Sequence, residues 1–435
     1  KKNVVSLRSA LSEHAAEPGY LIATNCLDVS RFDLQTDTPI WTSADLLAAA
    51  ASRLPNAELD RLQQAIGFTH NQDNMLLDRR LRTFWGPITG TMGDWMHIYL
   101  AQGLACDELW FFVHRCRKRH DIRFEQIGAF MATFTWPRTV QSPAKSFSKK
   151  REVACESANT FKFSASEILG CYRVLQRFSS MVVLRRGGMD AEHASLTALC
   201  VVLDTLQCVS RGLVSPELLH DRIKRHLTTH TSAYNIESAR PKLHASLHLP
   251  LFLRTHGTLY NCFATERRHK AFKTLASWTT FTGQYERSIS VDMILMHMEE
   301  LSEQGAVSHG TCVTAATTTT DSALLAALQP LCPGTTRIEI GNEGRCGMVR
   351  SKVGDIVIVD SKDGYFVAQI EAHVRCDAGV CVSLLDVYEK EGQFWKRAGV
   401  SRLCPLSSVV ASCIWGRGGE GVDVIPPAYL ACRPE

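Results

Sequence analysis

Pro241-Lys242-Leu243-His244-Ala245-Ser246-Leu247-His248-Leu249-Pro250, followed by Phe263-Ala264-Thr265-Glu266-Arg267-Arg268-His269-Lys270-Ala271-Phe272-Lys273, is the stretch on which the reading of this chain turns. The first half predicts a helix from Pro241 to about 256. His244 and His248 stand four residues apart on one face of it, a spacing that suits two-point presentation to Zn²⁺. Two His fill half of a tetrahedral site, so an amphipathic helix with two half-buried His is the plain alternative. The second half predicts a helix over 266–280 with Glu266 at its head and His269 and Lys270 about one turn on. A Glu at a helix N-terminus is stabilised by the helix dipole whatever else it does. A carboxylate among phosphate-binding cations is also how an enzyme holds Mg²⁺ against a nucleic-acid backbone. A further helix is predicted over 284–304.

Upstream, Gly93-Asp94-Trp95-Met96-His97 places an Asp-x-x-His at the start of an apolar helical stretch, 93–135, in which Trp95, Ile98, Leu100, Leu104, Leu109 and Phe112 recur at near-helical spacing. Asp94 is a good N-cap on spacing alone, with His97 packed behind it. Earlier residues read as mixed structure, with helices from Ser43 to near Pro55 and over 57–66. Trp136-Pro137 breaks the helical pattern, and 138–160 reads as a basic, Ser-rich connector. Helices return over 164–186, 190–211 and 215–230, opened by Ser164 and Ser166 before Glu167 and by Ser215-Pro216-Glu217, with turns at Gly187-Gly188 and Gly212.

Past about 305 the character changes. Thr, Ser and Ala dominate 306–322, which reads as a linker. Beyond 335, short β-branched runs (Arg337–Ile340, Asp355–Val359, Tyr365–Ile370, Val380–Leu385, Val409–Ile414) predict a small C-terminal all-β domain, an antiparallel barrel SH3-like in strand count and spacing.

Composition narrows the class. At 435 residues the chain predicts two or three domains, and 45% apolar with 21% charged residues is ordinary for a globular protein. No apolar run reaches the length of a membrane span, and no signal-peptide pattern opens the chain, so no membrane role is expected. Sixteen Cys are scattered with no C-x-x-C, which favours reduced thiols over a disulfide framework. A net charge of +4 does not by itself argue for nucleic acid. Its clustering does more: Arg115, Arg117, Lys118 and Arg119; Lys149, Lys150 and Arg151; Arg267, Arg268, Lys270 and Lys273. Each run either neutralises phosphates or is a solvated helix face.

Taken in order, these motifs resemble the DDE-type DNA transposases of the CACTA-like (tnp2-type) group. Gly93–His97 resembles that group's "C/D-x2-H" motif, followed by an apolar helix and a "G…E" stretch, here Gly103 and Glu108. After a long helical insertion the group carries "K-x-H-x3-H-x-P … G-P-L … E-x-x-H-x-x-F-K". This chain reads Lys242-Leu243-His244, His248, Pro250, Gly257-Thr258-Leu259, Glu266, His269 and Phe272-Lys273, with Thr258 where the group usually has Pro. The resemblance covers roughly 1–300. It implies a mostly α chain with a partial RNase H-like α/β core interrupted by a helical insertion. The domains expected are a partial core with the D-x-x-H motif (1–110), the insertion (111–240), the His/Glu helices completing the core (241–304), a linker (305–334) and the β-barrel domain (335–435).

What the resemblance implies for chemistry is a DNA cleavage and strand-transfer site in which three acids hold two Mg²⁺ ions. Glu266 matches the third acid, with Asp94 and His97 beside it as further catalytic candidates. Arg267, Arg268, Lys270, Lys273, Arg117, Lys118 and Arg119 are the expected DNA contacts. In the group the first two acids precede a C-x-x-C and an Asn-containing run, which Lys2-Asn3-Val4 resembles, so the expectation is a chain that begins after both acids and the zinc cysteines. His244 and His248 would then be half of a Cys₂His₂ zinc site, with Cys26 and His14 only weak substitutes. None of Asp28, Asp33, Asp37, Asp73 and Asp78 has flanks like those of the missing acids. The function expected is that of a transposase-derived, nuclear, DNA-binding protein, possible as a homodimer and inactive alone. The alternatives are a non-catalytic DNA- or chromatin-binding protein domesticated from a transposon, and a helical scaffold with no nucleic-acid role.

Overall fold

Helix nucleation is well specified in this sequence. Ser164 accepts from the Glu167 amide while the Glu167 side chain reaches back to the Ser164 amide, a complete capping box, and Ser215 accepts from the Leu218 amide ahead of Pro216. The computed structural model describes residues 34–428 apart from 35, 67–68, 73–74, 91–92, 138–139, 236–240, 279–283, 304–310, 315, 348, 363, 378 and 419–420. Its α-helices are α1 (Asp37–Ala51), α2 (Asn56–Ile66), α3 (Trp95–Tyr99), α4 (Leu104–His120), α5 (Phe124–Ala132), α6 (Lys149–Ala158), α7 (Ala165–Phe178), α8 (Asp190–Val209), α9 (Pro216–Tyr234), α10 (Pro241–Leu247), α11 (Leu249–His256), α12 (Phe263–Trp278), α13 (Tyr285–Glu303) and α14 (Ser322–Leu328). One apolar core joins α3–α5, α7–α9, α10 and α11, with Tyr99, Leu109, Phe112, Phe124, Ile168, Leu175, Leu203 and Ile223 almost wholly buried in it.

The strands are β1 (Phe134–Thr135), β2 (Thr311–Thr314), β3 (Thr317–Thr319), β4 (Ile338–Gly341), β5 (Glu343–Cys346), β6 (Val349–Lys352), β7 (Ile356–Ser361), β8 (Gly364–Cys376), β9 (Cys381–Glu391), β10 (Phe394–Pro405), β11 (Val409–Ser412), β12 (Ile414–Gly418) and β13 (Gly421–Ile425). All pairs are antiparallel. The long strands β8, β9 and β10 form the spine of a ten-stranded sheet, and β2, β5 and β6 make a separate three-stranded one. β7 and β4 share one edge of β8, β7 along Gly364–Gln369 and β4 along His373–Cys376.

The architecture is therefore mixed: helical through 303, with an antiparallel sheet region after it. It corrects the expectation of a barrel, because among the described residues the sheet stays open from β3 to β1. The physical reason is β10–β13–β12, which the sequence reading did not anticipate. They carry the sheet sideways onto the helices, where Phe134 and Thr135 pair with Gly416 and Trp415. The span expected as a linker holds β2, β3 and α14, capped by Asp321. Instead of a connector, 143–158 holds a 3₁₀ turn and α6, and the single helix expected from Pro241 to 256 is broken into α10 and α11 ahead of Pro250. No strand occurs among the described residues of 34–110.

Candidate functional site

Asp94 is the N-cap of α3, with Oδ1 accepting from the Met96 amide at 2.9 Å. The same oxygen accepts from the backbone N–H of Cys262 at 3.2 Å, just ahead of α12. The Trp95 amide donates to the Tyr260 carbonyl at 3.3 Å, and the Trp95 ring meets Phe263 edge-on at 5.5 Å. Two motifs far apart in sequence are thus stitched start to start. Asp94 Oδ2 hydrogen-bonds His97 Nδ1, which fixes the ring and turns Nε2 toward Glu266, 3.7 Å from its Oε1. Glu266 sits one turn inside α12, its amide donating to the Cys262 carbonyl at 2.8 Å. His97 and Glu266 are both about half exposed, so the pair opens to solvent.

The electrostatics follow from these contacts. Partial burial would raise the Asp94 carboxyl, but hydrogen bonds from His97, Cys262 and the Met96 amide hold it below the usual range. The Cys262 thiol is pushed up, first by its hydrogen bond to Asp94. Ligand atoms of Asp94, His97 and Cys262 all lie within 4.8 Å of one another. A carboxylate-backed imidazole facing a second carboxylate suits either proton transfer or cation binding, the backing carboxylate setting the ring's orientation and tautomer.

His244 and His248 are buried with their Nε2 atoms 3.0 Å apart. Burial lowers both imidazoles, His248 to about 4 with His244 adding to the effect, and neutral rings are what metal ligation requires. The His248 ring stacks on Phe252, and Phe252 in turn lies against Gly93. The His244/His248 pair and the Asp94 loop are therefore neighbours through one phenyl ring.

The predicted cations divide. Arg117 pairs with Glu152 at 3.2 Å and Glu156 at 3.5 Å, and Arg119 with Glu192 at 3.5 Å and the Gly188 carbonyl, so both are already committed within the helical region. Lys118 and Lys273 are exposed. The side chains of Arg267, Arg268 and Lys270 lie outside the described residues, as do His14, Cys26, Asp28, Asp33 and Asp73. Of the remaining acids considered, Asp37 accepts from the Ile88 and Thr89 amides and Asp78 pairs with Arg80.

One cluster was missed by sequence reasoning. Glu108 is fully buried on α4, and its Oε2 accepts from His226 Nε2 at 2.6 Å and His230 Nδ1 at 3.1 Å, both on α9. Its Oε1 accepts from Ser195 Oγ at 2.6 Å on α8. The signal was present in the sequence: His226 and His230 repeat the four-residue spacing of His244 and His248 within a predicted helix. No protein-family model, curated protein or solved structure matches this chain, and the site's chemistry rests on its own residues.

Proposed function

We propose that this chain belongs to a transposase lineage of the CACTA-like kind and acts on DNA, contributing Glu266 as the last acid of a two-metal cleavage and strand-transfer site. The observation that carries the reading is the juxtaposition of His97 Nε2 and Glu266 Oε1 at 3.7 Å. A solely structural N-cap at Asp94 has no need of an imidazole aimed at a carboxylate 169 positions on in the sequence. In this reading the helices around Asp94 and Glu266 belong to an RNase H-like core and α4–α9 to its insertion. Glu266 would share Mg²⁺ with two further acids, and His97, oriented by Asp94, would hold or move a proton beside them. His244 and His248 would supply the nitrogen half of a zinc site completed by two cysteines. Lys273, Lys118 and the basic first turns of α12 would face the phosphate backbone in a nuclear setting, with a homodimer bridging two DNA ends.

Two metals about 4 Å apart need at least three acids, so the chain by itself is proposed to be inactive. The test is Mg²⁺-dependent nicking and strand transfer on duplex DNA. Robust activity from this chain, abolished by E266Q, would overturn the need for further acids. DNA affinity that falls steeply with salt is expected from several phosphate contacts; affinity without salt dependence would remove DNA from the proposal. The second reading, a DNA- or chromatin-binding protein without catalysis, is favoured by the commitment of Arg117 and Arg119 to internal carboxylates and by the large sheet appended after α13. Under it, E266Q leaves DNA binding and every other activity unchanged.

A further inference from the structure

We propose that Glu108, His226 and His230 bind one divalent transition-metal ion of the zinc class, as a structural clamp between α4 and α9. The observation is convergence in a closed place. Glu108 and His226 are 0% exposed and His230 4%, and a metal-ligating atom of each lies within 4.8 Å of the others. A carboxylate taken wholly out of water costs several kcal/mol unless a cation answers it. A proton on the imidazoles is one such answer; a divalent ion, which binds all three side chains at once, is the other. Two His at i and i+4 on one helix, with a carboxylate from a facing helix, is a three-ligand set that holds zinc with a fourth position left for water.

The surroundings hold the three side chains in place. Ser195 Oγ holds the second carboxylate oxygen, leaving Oε2 to face the two rings. His226 presents Nε2 to the cluster. The rings are wedged by aromatic neighbours: Tyr99 lies 6.2 Å from His226, and Phe111 and Tyr234 lie 6.4 Å and 5.1 Å from His230. The inference does not rest on the DNA reading, because the cluster lies among the insertion helices and uses neither Glu266 nor His97.

The experiment is zinc content and zinc titration of the full chain after chelator dialysis, with an H244N/H248N variant as the background that removes the other His pair. About one equivalent of zinc retained in that background, lost in E108Q and accompanied by a rise in thermal stability, is the expected result. S195A should weaken zinc about 10- to 100-fold, the usual effect of removing a hydrogen bond to a ligand. Cobalt in place of zinc should show ligand-field bands without thiolate charge transfer. Should E108Q fail to fold, ¹⁵N spectra of the parent chain decide, since zinc must shift Nε2 of His226 and Nδ1 of His230. No zinc bound by the folded background variant, a thiolate band, or zinc that leaves both ring nitrogens unmoved would overturn the proposal and leave a proton as the counter-charge.

Discussion

The ammonium group of Lys242 donates to the carbonyl oxygen of His97 at 2.7 Å, and also to those of Ala101 and Gln102 at 3.2 and 2.9 Å. It thereby satisfies carbonyls at the C-terminal end of α3, where the chain turns through Gln102 at a φ of 51°. Burial lowers the ammonium's proton affinity, but the three carbonyls are suited to its charged form. The Lys that opens the His244/His248 block is thus the strut that holds the Asp94–His97 turn. K242M keeps the apolar stem and removes the donors. It should destabilise the chain by about 2 kcal/mol, the scale of hydrogen bonds to a charged group, read as a lower midpoint in urea. An unchanged midpoint would mean the carbonyls are satisfied otherwise.

Gly93 makes a second mechanical link. A Cβ there would stand 2.6 Å from Cε2 of Phe252, a ring that also stacks on His248. G93A must push that ring aside, and overpacking of this kind costs about 1–3 kcal/mol. The expected outcome is loss of stability together with a shift in the NMR resonances of the His248 ring. G93A at parental stability with the His248 resonances unmoved would show that Phe252 has room to move.

How much of this was legible in the sequence depended on the range of the interactions. Ser164, Glu167, Ser215 and Pro216 carry local capping information, and α7, α8 and α9 lie where the pattern put them, within a few residues except where the run after Phe178 continues as π and 3₁₀ turns. Asp94 as an N-cap was equally local. The pairing of Phe134 with Gly416 has no local signature, and β10, with Lys396, Arg397 and Arg402 along it, has too little apolar alternation to announce a strand. Glu108 illustrates the same limit: an acid in an apolar helix looks like a solvated position until the partners from α8 and α9 arrive. Nor does charge clustering reveal that Arg117 and Arg119 find carboxylates inside the protein.

The helical region and the sheet are tied by ions. Arg177 Nε donates to Asp423 Oδ2 at 2.6 Å, while Arg173 binds Asp204 and donates to the Pro426 carbonyl at 3.0 Å. Asp423 is only 6% exposed, so R177M strands a buried carboxylate. The expected loss is about 3 kcal/mol, and R177M/D423L should recover most of it, because removing both charges also removes the desolvation cost. Urea unfolding of the two variants decides; a double variant as weak as the single would mean the contact's geometry matters more than its charge.

His373 gives the sheet a pH dependence whose sign is fixed by its burial. The ring is fully buried on β8, with Nε2 3.2 Å from the Ser351 carbonyl and Nδ1 3.0 Å from Ser383 Oγ. A carbonyl only accepts, so Nε2 carries the proton and Nδ1 accepts from the serine hydroxyl, which describes a neutral ring. Burial pushes its pKa down to about 4, from 6.5 when exposed. The unfolded chain therefore takes up the proton first as pH falls. The ring's contribution is complete above about pH 6.5 and is lost progressively toward pH 4, amounting to roughly 3 kcal/mol at most. Unfolding free energies measured from pH 7.5 to 4.5 should fall more steeply for the parent chain than for H373Q, which does not titrate in that window. Parallel curves would place the acid sensitivity on other groups and show His373 to be indifferent to its proton.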